Sequence, residues 1–384
     1  MQNTRVNEIN NRGLLAMVKL LHTGDIHLGR QFPSLRNKAD EYRNQLVRTF
    51  EKIIDLAVTE KVSLLLIAGD LFDANRIYGL TIGKVIRKLE TLDIKVCIIP
   101  GTHDAYGEDS IYRSLRFPPN VTVFTPGHSQ QTYTDLDLTV YGLVPEGKAW
   151  QKSPLQGLTL AQDSRFHVGM AHCSIRIGGV AKNDAGAIDK DEIAGSGLDY
   201  LALGHWHSFQ DFSQGRTIAC YSGSPEPIDM DQKGAGNVVL VTLDEGKAGF
   251  QAVQVGTKKC DSVTIDASPV ESIDGIVQMI EARSDPNLIL QVNITGGIDY
   301  EVNCQKMESE LGGQFFNLRL EDMSHPKPEA VKLGNYPDKT VIGRYLRIIE
   351  GKMAAATGQE DKSMYEEALK LGYALLQGHP EVID

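Results

Sequence analysis

The sequence has few cysteines and no long apolar run. Five cysteines occur among 384 residues, at positions 97, 173, 220, 260 and 304, and none belongs to a CxxC pair. An odd number of widely spaced thiols argues against a disulfide framework or a zinc ribbon and favours reduced thiols in the cytoplasm. Because no stretch of about 18 apolar residues occurs, we expect neither a transmembrane helix nor a membrane partner.

The chain also lacks an excess of positive charge. Lysine and arginine number 39 against 50 aspartates and glutamates, so the formal net charge is −11. A protein that binds nucleic acid through bulk electrostatics alone would be basic, and this weakens that function class. Bound divalent cations would add positive charge that this count omits, so a nucleic-acid partner stays open.

Apolar runs and helical periodicity alternate from the beginning of the chain. Strands are predicted at 18–23, within VSLLLIAGD and at 95–100, separated by helices at 39–61 and 80–92. This order predicts an α/β domain with a partly parallel sheet. Further short strands between 121 and 243 predict a second sheet packed against the first.

The pattern changes along the chain and predicts four segments. Residues 1–16 are polar and are predicted to form a flexible extension, and 17–258 form the large α/β domain. Residues 259–325 alternate strands and helices like a small α+β module. A proline-broken linker and two amphipathic helices fill 326–384. A lone helix pair cannot bury such apolar faces well, so we expect it to dock on its own domain or on a partner.

Five short polar motifs each follow a predicted strand. Polar side chains at the carboxyl ends of strands occupy the edge where α/β sheets place their sites. Residues two apart on a strand point to one side, so the residues of each DxH or HxH pair can reach one metal ion together. The motifs are Asp25-x-His27, Gly69-Asp70-x-x-Asp73, Gly101-Thr102-His103-Asp104, His172 and His205-x-His207.

Carboxylates mixed with imidazoles, without thiolates, suit manganese, iron, zinc or a similar metal. Asp70 can bridge two ions about 3.5–4 Å apart, as in-line phosphoryl displacement requires. His103 is a candidate to stabilise or protonate the leaving oxygen, with Asp104 orienting its ring. Each motif alone also fits a structural role, such as a turn, a helix cap or a core histidine. All five in order predict a dinuclear metal site.

Together these motifs resemble those of the calcineurin-like metallophosphoesterase superfamily, whose pattern is DxH, GDxxD, GNHD, H and GHxH. The segments HTGDIHLGR at 22–30, AGDLFD at 68–73, GHWH at 204–207 and YSGSPEP at 221–227 resemble bacterial SbcD-type DNA repair exonucleases. The resemblance implies a four-layered α/β/β/α sandwich over the catalytic domain 17–258, a small α+β capping domain and a C-terminal helical segment.

The resemblance also implies which residues hold two divalent ions, expected to be Mn²⁺. The first ion would be bound by Asp25, His27, Asp70 and His207. The second would be bound by Asp70, Thr102, His172 and His205, with His103 as the catalytic histidine. Thr102 stands where the family usually has asparagine. Because a threonine hydroxyl is shorter and a poorer ligand than an amide carbonyl, we expect a weaker second site.

The position of Asp73 varies in the family, since some members carry histidine there. A catalytic duty and a turn or helix cap therefore both stay open for Asp73.

The function implied is a DNA phosphodiesterase, a 3′→5′ exonuclease with single-strand endonuclease activity as a further expectation, in double-strand-break repair. The implied partners are DNA, an SbcC-type ABC ATPase with a coiled coil that the C-terminal helices would grip, and a second copy of the chain. Two alternatives are a stand-alone phosphoesterase for nucleotides or phosphoproteins and a structural subunit with weak catalysis. Basic residues near the motifs are candidate DNA contacts: Arg30, Arg36, Lys38, Arg43, Arg113 and Arg116.

Overall fold

A computed structural model describes residues 17–77, 79–147, 149–178, 184–229, 232, 234–244, 247–326, 336–337 and 339–376. The predicted extension 1–16, most of the linker after 326 and residues 377–384 lie outside these ranges. The chain divides between Cys260 and Asp261 into two compact units. This division lies two residues after the predicted end of the large domain at 258, and the capping role of the second unit stays a prediction.

The first unit contains two six-stranded sheets. The first sheet has the order β12-β11-β1-β2-β3-β4, in which β1 to β4 run parallel and β11 and β12 antiparallel. Its strands are β1 (Val18–Thr23), β2 (Leu64–Ala68), β3 (Lys95–Ile99), β4 (Val121–Val123), β11 (Asn237–Asp244) and β12 (Lys247–Gln254).

The second sheet has the order β9-β10-β8-β7-β6-β5, and its four central strands are parallel. Both of its edge strands are antiparallel to their neighbours. The strands are β5 (Gln130–Tyr133), β6 (Leu138–Leu143), β7 (Phe166–His172), β8 (Tyr200–Gly204), β9 (Gln210–Asp211) and β10 (Ile218–Tyr221). The predicted central strands of both sheets are confirmed, whereas β5, β9 and β12 were not predicted.

One apolar core lies between the two sheets. Leu20 and Leu66 from the first sheet share it with Val168 and Ala202 from the second. Strand side chains alternate between faces, so Leu21 and its neighbours face the opposite side of the first sheet and are also fully buried. That side must therefore be covered as well.

Helices α1 (Ala39–Thr59) and α2 (Gly79–Glu90) are the connections between consecutive parallel strands and bury one face each. Such crossovers pack on a face of their sheet, and these helices cover the outer face of the first sheet. The short helices α3 (Ile111–Ser114) and α4 (Lys190–Gly195) follow. Helix α4 and loops pack on the outer face of the second sheet, with Ile193 in that core. The predicted α/β class is confirmed.

In the second unit, a three-stranded sheet of order β13-β14-β16 packs with two helices. Apolar side chains of α5 and α6 bury against this sheet, so the predicted α+β arrangement is present. A short pair, β15 and β17, lies beside them in sequence. The elements are β13 (Lys259–Asp266), α5 (Ile273–Glu281), β14 (Asp285–Thr295), β15 (Gly297–Ile298), α6 (Cys304–Leu311), β16 (Phe315–Asp322) and β17 (His325–Pro326).

The predicted C-terminal helix pair is also present, as α7 (Val341–Ala355) and α8 (Gln359–Leu376). The hydroxyl of Tyr345 donates to the carbonyl of Ala368 and joins the two helices. Val341, Ile348 and Met364 on these helices remain exposed to solvent. Among the helices in the described ranges, none has both the length and the apolar composition needed to cross a membrane.

The buried His22 makes the stability of the first unit sensitive to acid. Its Nδ1 lies 2.7 Å from the Tyr200 hydroxyl, and burial lowers the pKa of His22 from 6.5 to about 3. The unfolded chain therefore takes up a proton at a higher pH than the folded chain does. We expect this histidine to reduce the free energy of unfolding by about 1.4 kcal/mol per pH unit as the pH falls below 6.5.

Urea unfolding of the metal-free protein between pH 7 and pH 4.5 measures this effect. The His22→Gln variant keeps a polar side chain opposite Tyr200 but cannot titrate, so it is the control. The difference in unfolding free energy between wild type and variant should shrink toward low pH. Two parallel stability curves would contradict the assignment.

Candidate metal centre

The candidate residues converge because parallel strands in both sheets end at one edge of the first unit. Three loops leave the carboxyl ends of β1, β2 and β3, and two more positions lie at the ends of β7 and β8. The two sheets face each other across one core, so these ends meet. The residues so placed are Asp25, His27, Asp70, Thr102, His103, Asp104, His172, His205 and His207.

The backbone at the centre adopts a conformation that most residues avoid. Asp25, His27 and Asp70 have φ angles of 51°, 50° and 48°, and His205 has 107°. A residue other than glycine costs about 1–3 kcal/mol in such a conformation, and these conformers cluster at functional sites. Two hydrogen bonds hold them: Asp25 N–H donates to the carbonyl of Gly69 at 3.0 Å and His27 N–H to that of Asp70 at 2.9 Å.

The glycine before each motif residue is required by close approach. A Cβ on Gly69 would lie 2.2 Å from His172 Nδ1, and a Cβ on Gly204 would lie 1.8 Å from the carbonyl oxygen of Ala68. Since the same carbonyl accepts from His172 Nδ1 at 2.9 Å, these glycines let the two sheets approach closely enough to share a site.

The carboxylate of Asp70 lies in the middle of the cluster. Its Oδ1 accepts the backbone N–H of His103 at 2.7 Å. Its Oδ2 lies 3.2 Å from His172 Nε2 and 3.7 Å from His27 Nε2. The Thr102 hydroxyl donates to the same oxygen at 3.3 Å. Asp70 thus touches residues predicted for both ions.

Asp25 forms the second acidic position and is fully buried. The backbone N–H of His205 donates to both of its oxygens at 3.0 Å. His207 Nε2 lies 3.9 Å from Asp25 Oδ1. These contacts bring the GHWH loop of the second sheet onto the aspartate of the first.

Three overlapping sets of side chains can each hold a metal ion, with donor atoms within 4.8 Å of one another. They share Asp25, His27 and Asp70, so two ions would be close neighbours. The ring of His205 is outside these sets but lies 5.4 Å from that of His172, centroid to centroid. The sets are Asp25, His27 and His207; Asp25, Asp70 and His172; and His27, Asp70 and His103.

Two buried ring nitrogens test whether metal fits here. His27 Nε2 and His172 Nε2 are buried and have no hydrogen-bond partner among the described residues. Both face the Asp70 carboxylate. An unsatisfied buried polar atom is costly, and a metal ion would satisfy both nitrogens. The donor set of imidazole and carboxylate therefore fits divalent ions such as manganese, iron or zinc.

Electrostatics in the centre also favour a cation. Burial, followed by repulsion from Asp70, raises the pKa of Asp25 to about 7. Burial disfavours the charge on Asp70 too, but His172 beside it outweighs burial and lowers the pKa of Asp70, while the same pairing raises that of His172 to about 10. Burial lowers the pKa values of His205 and His207 to about 4, so both rings are neutral and able to act as ligands at neutral pH.

His103 lies at the rim, with 44% of its side chain exposed. Its Nδ1 is 3.3 Å from the carbonyl oxygen of Asp73 and 3.8 Å from Asp73 Oδ1. The same carboxylate oxygen lies 3.1 Å from Nδ1 of His27. Asp73 therefore contacts both imidazoles, and this contact supports a part in the site beyond a turn or cap.

Asp104 connects loops and has no contact with the His103 ring among those described. It is buried and accepts from Gly101 N–H at 2.7 Å, Phe72 N–H at 3.0 Å and the Tyr112 hydroxyl at 2.5 Å. These bonds tie the loop after β3 to the loop after β2. The group beside the His103 ring is Asp73, so Asp104 acts on the site through the backbone.

Sequence reasoning did not find Tyr112 or Gln232 as parts of the site. Gln232 contacts His207 Nδ1 through its side-chain nitrogen, while its oxygen accepts from Ile228 N–H at 2.6 Å. Neither residue lies in a motif, and no local pattern indicates it. Only the folded approach of the loops reveals these contacts.

Comparison with known proteins agrees with the fold and the centre. Similar proteins include the uncharacterized metallophosphoesterase YhaO of Bacillus subtilis, 24% identical over 279 residues, 70% of this chain and 68% of that protein. The DNA double-strand break repair protein Mre11 of Sulfolobus acidocaldarius is 23% identical over 300 residues, 73% and 76% of the two chains. The SbcD component of the nuclease SbcCD of Escherichia coli K12 is 27% identical over 271 residues, 60% and 66%.

The family profile described as "Calcineurin-like phosphoesterase" matches residues 18–209, half of the chain. That segment contains both sheets up to the end of β8 and every residue of the candidate centre from Asp25 to His207. The chain therefore belongs to the calcineurin-like phosphoesterase family.

Proposed function

We propose that this protein is a phosphodiesterase that hydrolyses DNA with two divalent metal ions, Mn²⁺ being the expected metal. The observation that carries the proposal is the position of Asp70. Its carboxylate touches His27 on one side and His172 on the other, with the partly exposed His103 at the rim. This arrangement suits two adjacent ions beside a group that can transfer a proton to substrate.

The ligands of the proposed ions are the residues predicted from the motifs. When bound, the ions would polarise the phosphate and lower the pKa of a bound water. The first ion would be held by Asp25, His27, Asp70 and His207, and the second by Asp70, Thr102, His172 and His205.

His103 is the proposed proton donor to the leaving oxygen. It is within reach of solvent, and its Nδ1 faces the carbonyl oxygen and carboxylate of Asp73. This contact fixes the ring and leaves Nε2 to act on substrate. A positioned imidazole typically contributes 10²–10⁴-fold to such a step.

DNA is the proposed substrate because two relatives are named a DNA double-strand break repair protein and a nuclease component. The finer proposal is a 3′→5′ exonuclease with single-strand endonuclease activity in cytoplasmic DNA repair. An ABC ATPase with a coiled coil is the proposed partner, and a homodimer the proposed assembly. The exposed Val341, Ile348 and Met364 on the C-terminal helices support a docking role for these helices.

A stand-alone phosphoesterase for nucleotides or phosphoproteins is the second candidate. The relative YhaO, named only as a metallophosphoesterase, favours it. A weakly catalytic structural subunit is the third, and the threonine at 102 favours it. The three candidates differ in which phosphoesters the purified protein hydrolyses.

Substrate range tests the proposal. With Mn²⁺ present, we expect hydrolysis of single-stranded and duplex DNA from the 3′ end, together with a generic diester such as bis-p-nitrophenyl phosphate. Chelation of the metal should abolish all of these activities. Cleavage of mononucleotides or phosphopeptides without DNA hydrolysis would support the stand-alone enzyme, and no hydrolysis of any ester would support the structural subunit.

His103→Gln separates proton transfer from metal binding. We expect kcat on a diester to fall 10²–10⁴-fold, while calorimetric titration with Mn²⁺ shows unchanged affinity and stoichiometry. The geometry also allows His103 to join His27 and Asp70 as a ligand. A parallel loss of Mn²⁺ affinity would assign His103 to metal binding and contradict the catalytic role.

Thr102→Asn tests the strength of the second site. An amide oxygen is a better ligand than the threonine hydroxyl, which donates toward Asp70. We expect the dissociation constant of the second Mn²⁺ ion to fall about tenfold, which is 1.4 kcal/mol, with that of the first ion unchanged. Thr102→Ser is the control and should match wild type. Equal second-site affinities in Thr102→Asn and wild type would overturn the expectation.

A further inference from the structure

Arg30 lies on the loop after β1, three residues beyond His27, and is held between two carboxylates. Its Nη1 is 3.3 Å from Asp73 Oδ1, and its Nη2 is 2.8 Å from Asp229 Oδ1. The guanidinium carbon also lies 5.7 Å from the centre of the Phe32 ring. The side chain therefore joins the loops of both sheets at the edge of the metal centre.

Only one carboxylate separates Arg30 from the metal centre. The Asp73 oxygen that Arg30 contacts also lies 3.1 Å from His27 Nδ1, and the Asp73 carbonyl faces His103 Nδ1 at 3.3 Å. The guanidinium thus borders a proposed metal ligand and the proposed proton donor. A phosphodiester lying against His103 would come within reach of this cation.

The pair with Asp229 is accessible and exchangeable. The Arg30 side chain is 24% exposed and that of Asp229 is 53% exposed. Water screens an ion pair of this kind, so it contributes little to stability. A phosphate offers two oxygens in the geometry that a guanidinium binds bidentately, and such bonds are shorter and stronger than neutral ones.

We propose that Arg30 binds a non-bridging oxygen of the substrate phosphodiester and that Asp229 competes with the phosphate for the guanidinium. This proposal rests on the proposed function, because it assumes that a phosphodiester occupies the centre. It assigns Arg30 to substrate binding rather than to metal binding. Asp229 then tunes affinity, since an arginine held by an acid is less available to an anion.

Two substitutions with opposite expected effects test the proposal. On a generic diester with Mn²⁺, Arg30→Gln should raise KM at least tenfold, and Arg30→Lys should give an intermediate value because an ammonium cannot bind bidentately. Asp229→Asn should lower KM two- to fivefold. Arg216→Gln, which removes a surface pair with Asp199, is the control and should match wild type.

Two binding measurements distinguish a substrate contact from a structural one. Titration with Mn²⁺ should give the same affinity for Arg30→Gln and wild type, whereas titration of the Mn²⁺-loaded protein with inorganic phosphate should be at least tenfold weaker for the variant. Unchanged phosphate affinity, a KM increase in Asp229→Asn, or a loss of Mn²⁺ affinity matching the KM change would overturn the proposal.

The outcome for Arg30 is separable from that of the proposed function. If the wild type hydrolyses the generic diester but not DNA, the DNA proposal fails and the KM comparison still tests Arg30. If the wild type hydrolyses neither, phosphate titration alone tests it: weaker binding by Arg30→Gln supports the arginine contact, and equal binding rejects it.

Discussion

The hydrogen bonds between the loops after β1 and β2 are the constraint on which the centre depends. They hold Asp25, His27 and Asp70 in left-handed conformations that these residues would otherwise avoid. Only in this arrangement can a carboxylate from each strand point into the same small volume. Because the strands themselves are buried on both faces, the core supplies the rigidity that keeps the strained loops in place.

That arrangement creates an electrostatic imbalance that a cation corrects. Two buried carboxylates lie close together, and the field of Asp70 contributes to the raised pKa of Asp25. His172 compensates Asp70 in part, because the pairing favours the protonated imidazole. A metal ligand must release its proton, so ion binding at His172 is coupled to proton release. The same residues therefore balance charge without metal and become ligands with it.

Sequence patterns predicted the central strands and the motif residues because both depend on local features. Continuous apolar runs identify buried strands, and polar residues after each run identify the functional edge. Strand β12 was missed because almost every residue along it is at least partly exposed, and β5 because it is a short polar edge strand. The contacts of Asp73 with His103 and of Gln232 with His207 depend on how loops approach one another, which no periodicity encodes. The role of Asp104 required the observed partners, since its adjacency to His103 in sequence suggested the wrong neighbour.

The acidic composition constrains how this protein can hold a polyanion. With a net charge of −11, the molecule as a whole repels DNA at long range. Attraction must then come from a few local positive charges at the site itself. Two divalent ions would contribute four positive charges inside a buried, low-dielectric cluster, where electrostatic interactions are stronger than at the surface. Arg30 adds one further charge at the rim, and Asp229 partly neutralises it until a phosphate arrives. On this argument the affinity for substrate resides in the centre and its immediate edge, and the remaining surface contributes little.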